Sequence, residues 1–305
     1  MGSPEFAVPC LEALAARHEV ALVVSQPDKP AGRGSQLTPP AVKVAAGKLG
    51  LRVFQPRSAR TGELATELAT SSAELAVVVA YGKILPKAVL DALPLGCINV
   101  HGSLLPRWRG AAPIQWAVIE NEPATGVSIM QLDEGMDTGP VYAMRSVAID
   151  PGETSGELMA RLAPIGAEEL IAALPRIAAG ERPIPQDASR ATHARMLTKA
   201  DGAIDFTRPA ALVAARIRGV DPWPGAQATL RGQTVKLFRA RPAATTGAAG
   251  QVLAIDAAGV HVGCGEGSVV IADVQAPGRK RLTAAQFAAG RGVVAGDVLG
   301  TPVIE

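Results

Sequence analysis

The chain has 305 residues, enough for two domains, and its 48% hydrophobic and 19% charged residues with a net charge of +2 are ordinary for a globular protein. No apolar stretch reaches the length of a membrane helix, and the start lacks the basic segment, apolar run and small-residue cleavage site of a signal peptide, so the expected location is the cytoplasm. Three cysteines, Cys10, Cys97 and Cys264, are an odd number without Cys-x-x-Cys spacing, which argues against a disulfide framework and a zinc site.

In chain order, residues 6–15 read as a helix, with Phe6, Leu11 and Leu14 near one face, and residues 19–24 as a fully buried strand. Residues 26–40, with four prolines and the basic Lys29 and Arg33, read as an exposed, mobile loop. Helices at 41–49 and 61–69 alternate with strands at 51–54 and 75–80, a βα alternation that implies a mostly parallel sheet with helices on both faces. A short helix after Pro86 leads to a strand at Cys97–Val100. A helix at 111–119, with Pro113 suited to its first turn, precedes strands at 127–132 and 141–149, the latter antiparallel at an edge. Thr154-Ser155-Gly156-Glu157 is a capping-box pattern opening a long helix to residue 179, with Leu158, Leu162, Ile165 and Leu170 toward the core.

The polar, proline-rich stretch 181–187 reads as an extended linker. Beyond it come a helix at 210–218 and short strands at 227–230, 234–238, 250–255, 260–262 and 268–274, with a flexible loop at 242–250; several short strands at this spacing suggest a small barrel. Charge is divided unevenly: 16 basic and 20 acidic residues up to Ser189 give −4, and 14 and 8 from Arg190 onward give +6. A basic barrel suits a partner with a phosphate backbone, and Arg279-Lys280-Arg281 is a candidate patch.

Chemistry concentrates in two stretches. In the first, Asn99-Val100-His101-Gly102-Ser103-Leu104-Leu105-Pro106, strand alternation turns Asn99 and His101 to one side, at a sheet edge where open α/β folds place ligands. The second, Asp133-Glu134-Gly135-Met136-Asp137-Thr138-Gly139, follows an apolar strand and can deliver Asp137 to His101. Asn, His and Asp together suit acyl transfer: an amide donor for a developing oxyanion, an imidazole for proton transfer and a carboxylate to orient it. A lone His or Asn at a strand end is ordinarily scaffold; the second loop is what raises the pair above that.

These stretches, with Gln26-Pro27-Asp28-Lys29-Pro30-Ala31-Gly32-Arg33-Gly34 and Ala80-Tyr81-Gly82-Lys83-Ile84-Leu85-Pro86, resemble the folate-dependent formyltransferases over nearly the whole chain. The Pro-Ala-Gly-Arg-Gly loop and the second domain narrow the resemblance to the methionyl-tRNA formyltransferases. It implies a Rossmann-like, doubly wound catalytic domain at 1–182, a linker at 183–198 and an OB-like β-barrel domain binding tRNA at 199–305. It also implies transfer of the formyl group of the co-substrate 10-formyltetrahydrofolate to the α-amino group of methionine on initiator tRNA, with no metal, membrane or obligate protein partner. Asn99, His101 and Asp137 are then catalytic, Ser103, Leu104, Leu105 and Pro106 lie along the folate, and Lys29, Arg33, Arg279, Lys280 and Arg281 meet tRNA. The competing enzyme reading is an amino-sugar N-formyltransferase using the same donor. A folate hydrolase or a glycinamide formyltransferase would lack the loop and the second domain, and a non-catalytic RNA-binding protein would need none of Asn99, His101 and Asp137.

A βαβ domain needs a central strand before its first turn, and the family runs an apolar strand into a Met-Gly-Ser-Pro-Glu-Phe segment; here Met1–Phe6 comes first. The expectation is a missing first strand, and a working protein that begins roughly one strand length upstream, about six to ten residues.

Overall fold

The computed structural model describes residues 1–31 and 36–303. It forms two compact units, the first made of Met1–Pro113, Thr125–Val147 and Met159–Ala194, the second of Ile114–Ala124, Ala148–Leu158 and Arg195–Glu305. No helix among the described residues is long and apolar enough to cross a membrane. All three cysteines are free and buried.

The elements begin with α1 (Val8–Ala15), β1 (Val23–Val24), β2 (Lys29–Ala31), β3 (Gln36–Thr38), α2 (Ala41–Lys48), β4 (Val53–Phe54), α3 (Glu63–Ala69), β5 (Ala76–Val78), α4 (Lys87–Leu90) and β6 (Cys97–His101). They continue with β7 (Arg109–Gly110), α5 (Pro113–Ile119), β8 (Ala124–Gln131), β9 (Val141–Ala148), α6 (Ser155–Ala178) and β10 (His193–Ala194). The first unit is mixed α/β. Its main sheet runs β5-β6-β8-β9; β5 and β6 are parallel, whereas β8 is antiparallel to β6. The antiparallel direction therefore starts one strand earlier than expected. Residues 29–31 and 36–38, expected in a loop, pair as an antiparallel ribbon. Arg33 lies outside the described residues.

The slot for a first strand is not wholly vacant. The Met1 nitrogen donates to Val77 O at 2.6 Å; Gly2 N donates to Val24 O and Val79 N to Met1 O. Met1 and Gly2 thus link the β1 and β5 stretches. Beside them is an apolar cavity of about 470 Å³, lined by Leu11, Leu22, Leu75, Val77 and Leu174 among others. Residues 19–22, expected as strand, line this cavity and join no ladder; β1 pairs in a ladder with β4 over Val23 and Val24, and its other side receives the single bond from Gly2.

The capping box at the start of α6 forms as read: Glu157 N donates to Thr154 Oγ1 at 3.2 Å and Thr154 N to Glu157 Oε2 at 2.9 Å. These bonds satisfy two of the donors a helix start leaves free. The Thr154 backbone bond, helped by the threonine hydroxyl, holds the Glu157 carboxyl below its ordinary pKa.

In the second unit α7 (Ala210–Gly219) packs on an antiparallel sheet. Its strands are β11 (Ala226–Leu230), β12 (Gln233–Ala243), β13 (Val252–Asp256), β14 (Gly259–Gly263), β15 (Ser268–Gln275), β16 (Leu282–Thr283) and, after α8 (Ala284–Ala289), β17 (Leu299–Gly300). The order β13-β14-β15-β12-β11-β17 has its two ends joined by the Gln251–Val298 bridge, so the sheet curls toward closure. Alternation along β11 and β12 sends Ala226, Ala228 and Leu230, and Val235 and Leu237, inward. Pro242 and Ala243, expected in a loop, extend β12 opposite Val269 and Ser268. Helix α8 follows a Thr283/Gln286 capping box that the strand reading passed over.

Candidate active site

Strand β6 is buried along its whole length and lies between β5 and β8, with Asn99 opposite Val78 and Met130 and His101 opposite Ser128. Asn99 is 9% exposed and His101 5%. Being two apart on a strand they share a face. No protein group among the described residues is hydrogen-bonded to the Asn99 side chain, so its amide remains available as a donor at the strand end.

Past His101 the chain turns sharply, and Ser128 of β8 organises the turn. Its Oγ donates to Ser103 O at 2.6 Å and accepts from Leu105 N at 3.2 Å. Ser103 Oγ in turn donates to Arg107 O at 2.6 Å. This places Ser103 fully inside and packs Leu105 against Met130 and Val141, leaving Leu104 and Pro106 half-buried. Of the four motif residues, those two present side-chain surface.

The turn brings the Trp108 carbonyl to 3.0 Å from His101 Nε2. A carbonyl only accepts, so Nε2 carries a proton and the neutral imidazole has its lone pair on Nδ1. That nitrogen faces Asp137 Oδ2 at 3.7 Å. The distance is too long for a direct hydrogen bond and close enough for charge attraction once the imidazole is protonated. The predicted approach of Asp137 to His101 is therefore present in the geometry. Asp137 Oδ2 also accepts from Gly110 N at 2.8 Å.

Two residues flanking His101, Trp108 (φ 59°) and Asp137 (φ 54°), adopt left-handed backbone, which costs a non-glycine residue roughly 1–2 kcal/mol each. Both are pinned by the segment read as linker. Thr192 Oγ1 accepts from Trp108 N at 2.8 Å, and Thr192 O from Arg109 N at 2.9 Å. Gln186 Nε2 donates to Asp137 O at 3.0 Å and Gly139 O at 2.6 Å, while the buried Arg109 guanidinium grips Gln186 Oε1 at 2.8 and 3.0 Å. Strand β10 closes this strap as a parallel pair with β7, so near that Cβ on Gly110 would stand 2.6 Å from Ala194 O. Gln186, Thr192, Trp108 and Ser128 were not among the expected site residues. Nothing in a polar, proline-rich stretch signals which distant loop it will bind.

Two other motifs also meet. Gln26 Nε2 donates to Tyr81 O at 2.6 Å, and Gly82 (φ 73°) sits so close that Cβ there would lie 2.7 Å from Gln26 Nε2. Lys29 is exposed, its Nζ donating to Gln26 Oε1 at 2.6 Å.

The three basic residues of 279–281 divide in the second unit. Arg281 is bound: its Nε donates to Asp273 Oδ2 at 2.8 Å and its guanidinium stacks 4.1 Å above the Phe238 ring. Arg239 takes the other side of Asp273, at 2.7 and 2.9 Å. Burial opposes ionisation of Asp273, but the two arginines outweigh it and hold the carboxyl below its ordinary pKa. Arg279 and Lys280 are exposed, and neither has an ion-pair partner among the described residues.

Residues 1–174 match the formyl transferase family, and residues 196–292 the formyl transferase C-terminal domain. The methionyl-tRNA formyltransferase of Myxococcus xanthus (strain DK1622) is 48% identical over 298 residues, covering 97% of this chain and 96% of that one. The methionyl-tRNA formyltransferase of Sorangium cellulosum (strain So ce56) is 49% identical over 304 residues, covering 98% of each. Among solved structures, the N-formyltransferase from Helicobacter canadensis in complex with folinic acid and dTDP-3-aminofucose superposes with a TM-score of 0.67 at 15% identity, covering 90% of this chain and 97% of that one. At that identity the likeness is one of fold.

Proposed function

The chain belongs to the formyl transferase family, in its methionyl-tRNA formyltransferase branch, and on that premise we propose that it moves the formyl group of 10-formyltetrahydrofolate to the α-amino group of methionine on initiator tRNA. The observation that carries this reading is identity at nearly half of all positions along nearly the full length of both chains.

In the reaction a C–N bond forms between the amine and the formyl carbon, the C–N bond to the folate nitrogen breaks, and one proton passes from the attacking to the leaving nitrogen. Asn99, whose amide has no protein partner among the described residues, donates to the oxyanion of the tetrahedral intermediate; a preorganised donor of this kind is commonly worth ~100-fold or more in rate. His101, with Nε2–H held by the Trp108 carbonyl, takes the proton at Nδ1. Asp137, 3.7 Å from that nitrogen, stabilises the resulting imidazolium and holds a relaying water.

Folate lies along Ser103–Pro106, with Leu104 and Pro106 giving apolar surface and Ser103 and Leu105 shaping the turn from beneath. Catalysis belongs to residues 1–182, a Rossmann-like doubly wound domain, and tRNA binding to an OB-like barrel at 199–305, joined through 183–198. Lys29 and Arg33 meet the acceptor end of tRNA; Arg279 and Lys280 meet phosphates, and Arg281 orders their turn. The cytoplasm is the expected location.

The test offers the purified protein 10-formyltetrahydrofolate with either Met-tRNA or a nucleotide-linked amino sugar and follows product by mass. Formylmethionyl-tRNA as the product is expected; formylation of the sugar with Met-tRNA untouched would replace this reading by the amino-sugar one.

A further inference from the structure

The second unit carries an aromatic side chain that neither its core nor the proposed chemistry uses. Trp223 is 54% exposed, although its neighbours Val220, Pro224 and Gly225 are buried. Exposing an indole costs stability, since it is among the largest apolar surfaces a residue can hide. The loop that presents it is fixed at both ends. Gly225 N donates to Val220 O at 2.8 Å, and Asp221 N to Arg218 O at 3.2 Å. The Asp221 carbonyl accepts twice, from Gly156 N at 3.1 Å and Ser155 Oγ at 2.7 Å. Pro222 and Pro224 restrict the backbone on either side of the indole. The ring thus stands out from an ordered frame, and little loop entropy is lost when a partner covers it.

A cation lies beside its loop. Lys236 is exposed on β12, and its Nζ lies 3.8 Å from where Cβ would sit on Gly225, two residues after Trp223. Register places Lys236 between Gln227 of β11 and Gln275 of β15. Gln275 Nε2 donates to Arg279 O at 2.8 Å, tying in the turn that carries Arg279 and Lys280. Lys236 and Gln275 thus lie side by side on one face of the sheet, with the Trp223 loop beside the first and the Arg279–Lys280 turn tied to the second. None of the three cations has an ion-pair partner among the described residues, in contrast to Arg281 and Arg239, which share Asp273. An exposed indole followed by unpaired cations is the pairing that binds unpaired nucleotides: a base stacks on the ring while its flanking phosphates meet the ammonium and guanidinium groups. Pro222, beside Trp223 in the chain, is exposed as well.

We propose that Trp223, with Lys236, Arg279 and Lys280, forms a stacking platform on the second unit that holds an unpaired nucleotide of the tRNA substrate. This rests on the tRNA reading above and adds to it the contact that is not electrostatic. The test measures binding of labelled initiator tRNA to the full chain across a salt series, beside the intact-protein melt. Trp223→Leu should weaken binding roughly tenfold with the salt slope unchanged, whereas Trp223→Phe, which keeps a ring, should retain most of the affinity. Lys236→Gln and Arg279→Gln should each reduce the slope of log affinity against log salt by about 0.7 to 0.9, one released counterion apiece. Quenching of tryptophan fluorescence on adding tRNA should be smaller in Trp223→Leu. Wild-type affinity in Trp223→Leu would overturn the stacking contact, and unchanged slopes in both charge variants would overturn the phosphate contacts. If Trp223→Leu does not fold, the Phe and Gln variants decide. Failure of the underlying reading shows separately, as a wild-type protein that does not formylate Met-tRNA.

Discussion

In the first unit the groups proposed for chemistry are nearly closed off from water, with Asn99 and His101 on a buried strand and Asp137 under the strap from Gln186; in the second unit Trp223, Lys236 and Arg279 stand in the open. Burial serves a reaction whose charge develops over one or two bonds, because fixed donors act strongly where the dielectric is low. Exposure serves a polyanion, which must arrive, displace counterions and leave. One region should be sensitive to small displacements and insensitive to salt, and the other the reverse.

The sharpest way to break that contrast is at the buried end. Asn99→Ala, His101→Ala and Asp137→Ala should each lower formyl transfer by ~100-fold or more with an unchanged melt; turnover near wild type in any of them removes that residue from the mechanism. Gln186→Ala frees the carbonyls of Asp137 and Gly139, and should reduce kcat roughly tenfold through misplacement of the carboxylate. A change confined to KM for tRNA would instead make the strap part of the binding surface. Arg33→Ala should weaken use of Met-tRNA several-fold, about what one lost phosphate contact implies, with folate affinity kept; kinetics equal to wild type would leave that arginine as plain surface.

Two smaller effects concern how the basic unit is held. Asp273→Ala leaves Arg239 and Arg281 without their shared acceptor and should lower the melting midpoint by a few degrees, about 1–2 kcal/mol. An unaltered melt would mean both arginines are satisfied by water. Asp201 is held by Arg195, with Thr198 assisting, and its pKa is lowered from 3.8 to about 2. A carboxyl depressed in the folded state stabilises above its unfolded pKa and loses that contribution as pH falls toward its folded one, here between about pH 4 and 2. Because Arg195 is largely exposed, the contribution is put at about 1 kcal/mol. Asp201→Asn should flatten the acid limb of stability in that window; a limb identical to wild type would assign it to other carboxylates.

Much of this molecule is legible in the order of its residues. Helices α2, α6 and α7 and strands β11 to β15 fall close to where periodicity and turns put them, because amphipathic spacing and hairpin connections are local. Asn99 and His101 share a face because strand alternation is also local, and the approach of Asp137 could be anticipated from a motif. The ribbon of 29–31 with 36–38 and the extension of β12 through Pro242 and Ala243 are not legible there, because proline and small residues mark turns, yet also fit the edge of a ladder.

The amino-acid order by itself determined the two-part plan, the basic second half, the strand that carries Asn99 and His101, and the resemblance that names the chemistry. Only the tertiary structure decided which nitrogen of His101 holds the proton, since that follows from the Trp108 carbonyl. It also decided that Gln186 and Thr192 brace the site, that β1 shortens beside a cavity, and that Arg281 is tied to Asp273 while Arg279 is not. Each of these depends on a hydrogen bond, an ion pair or a missing neighbour between residues far apart in the chain. Local propensity carries no information about such partners, because their positions exist only once the sheets have closed.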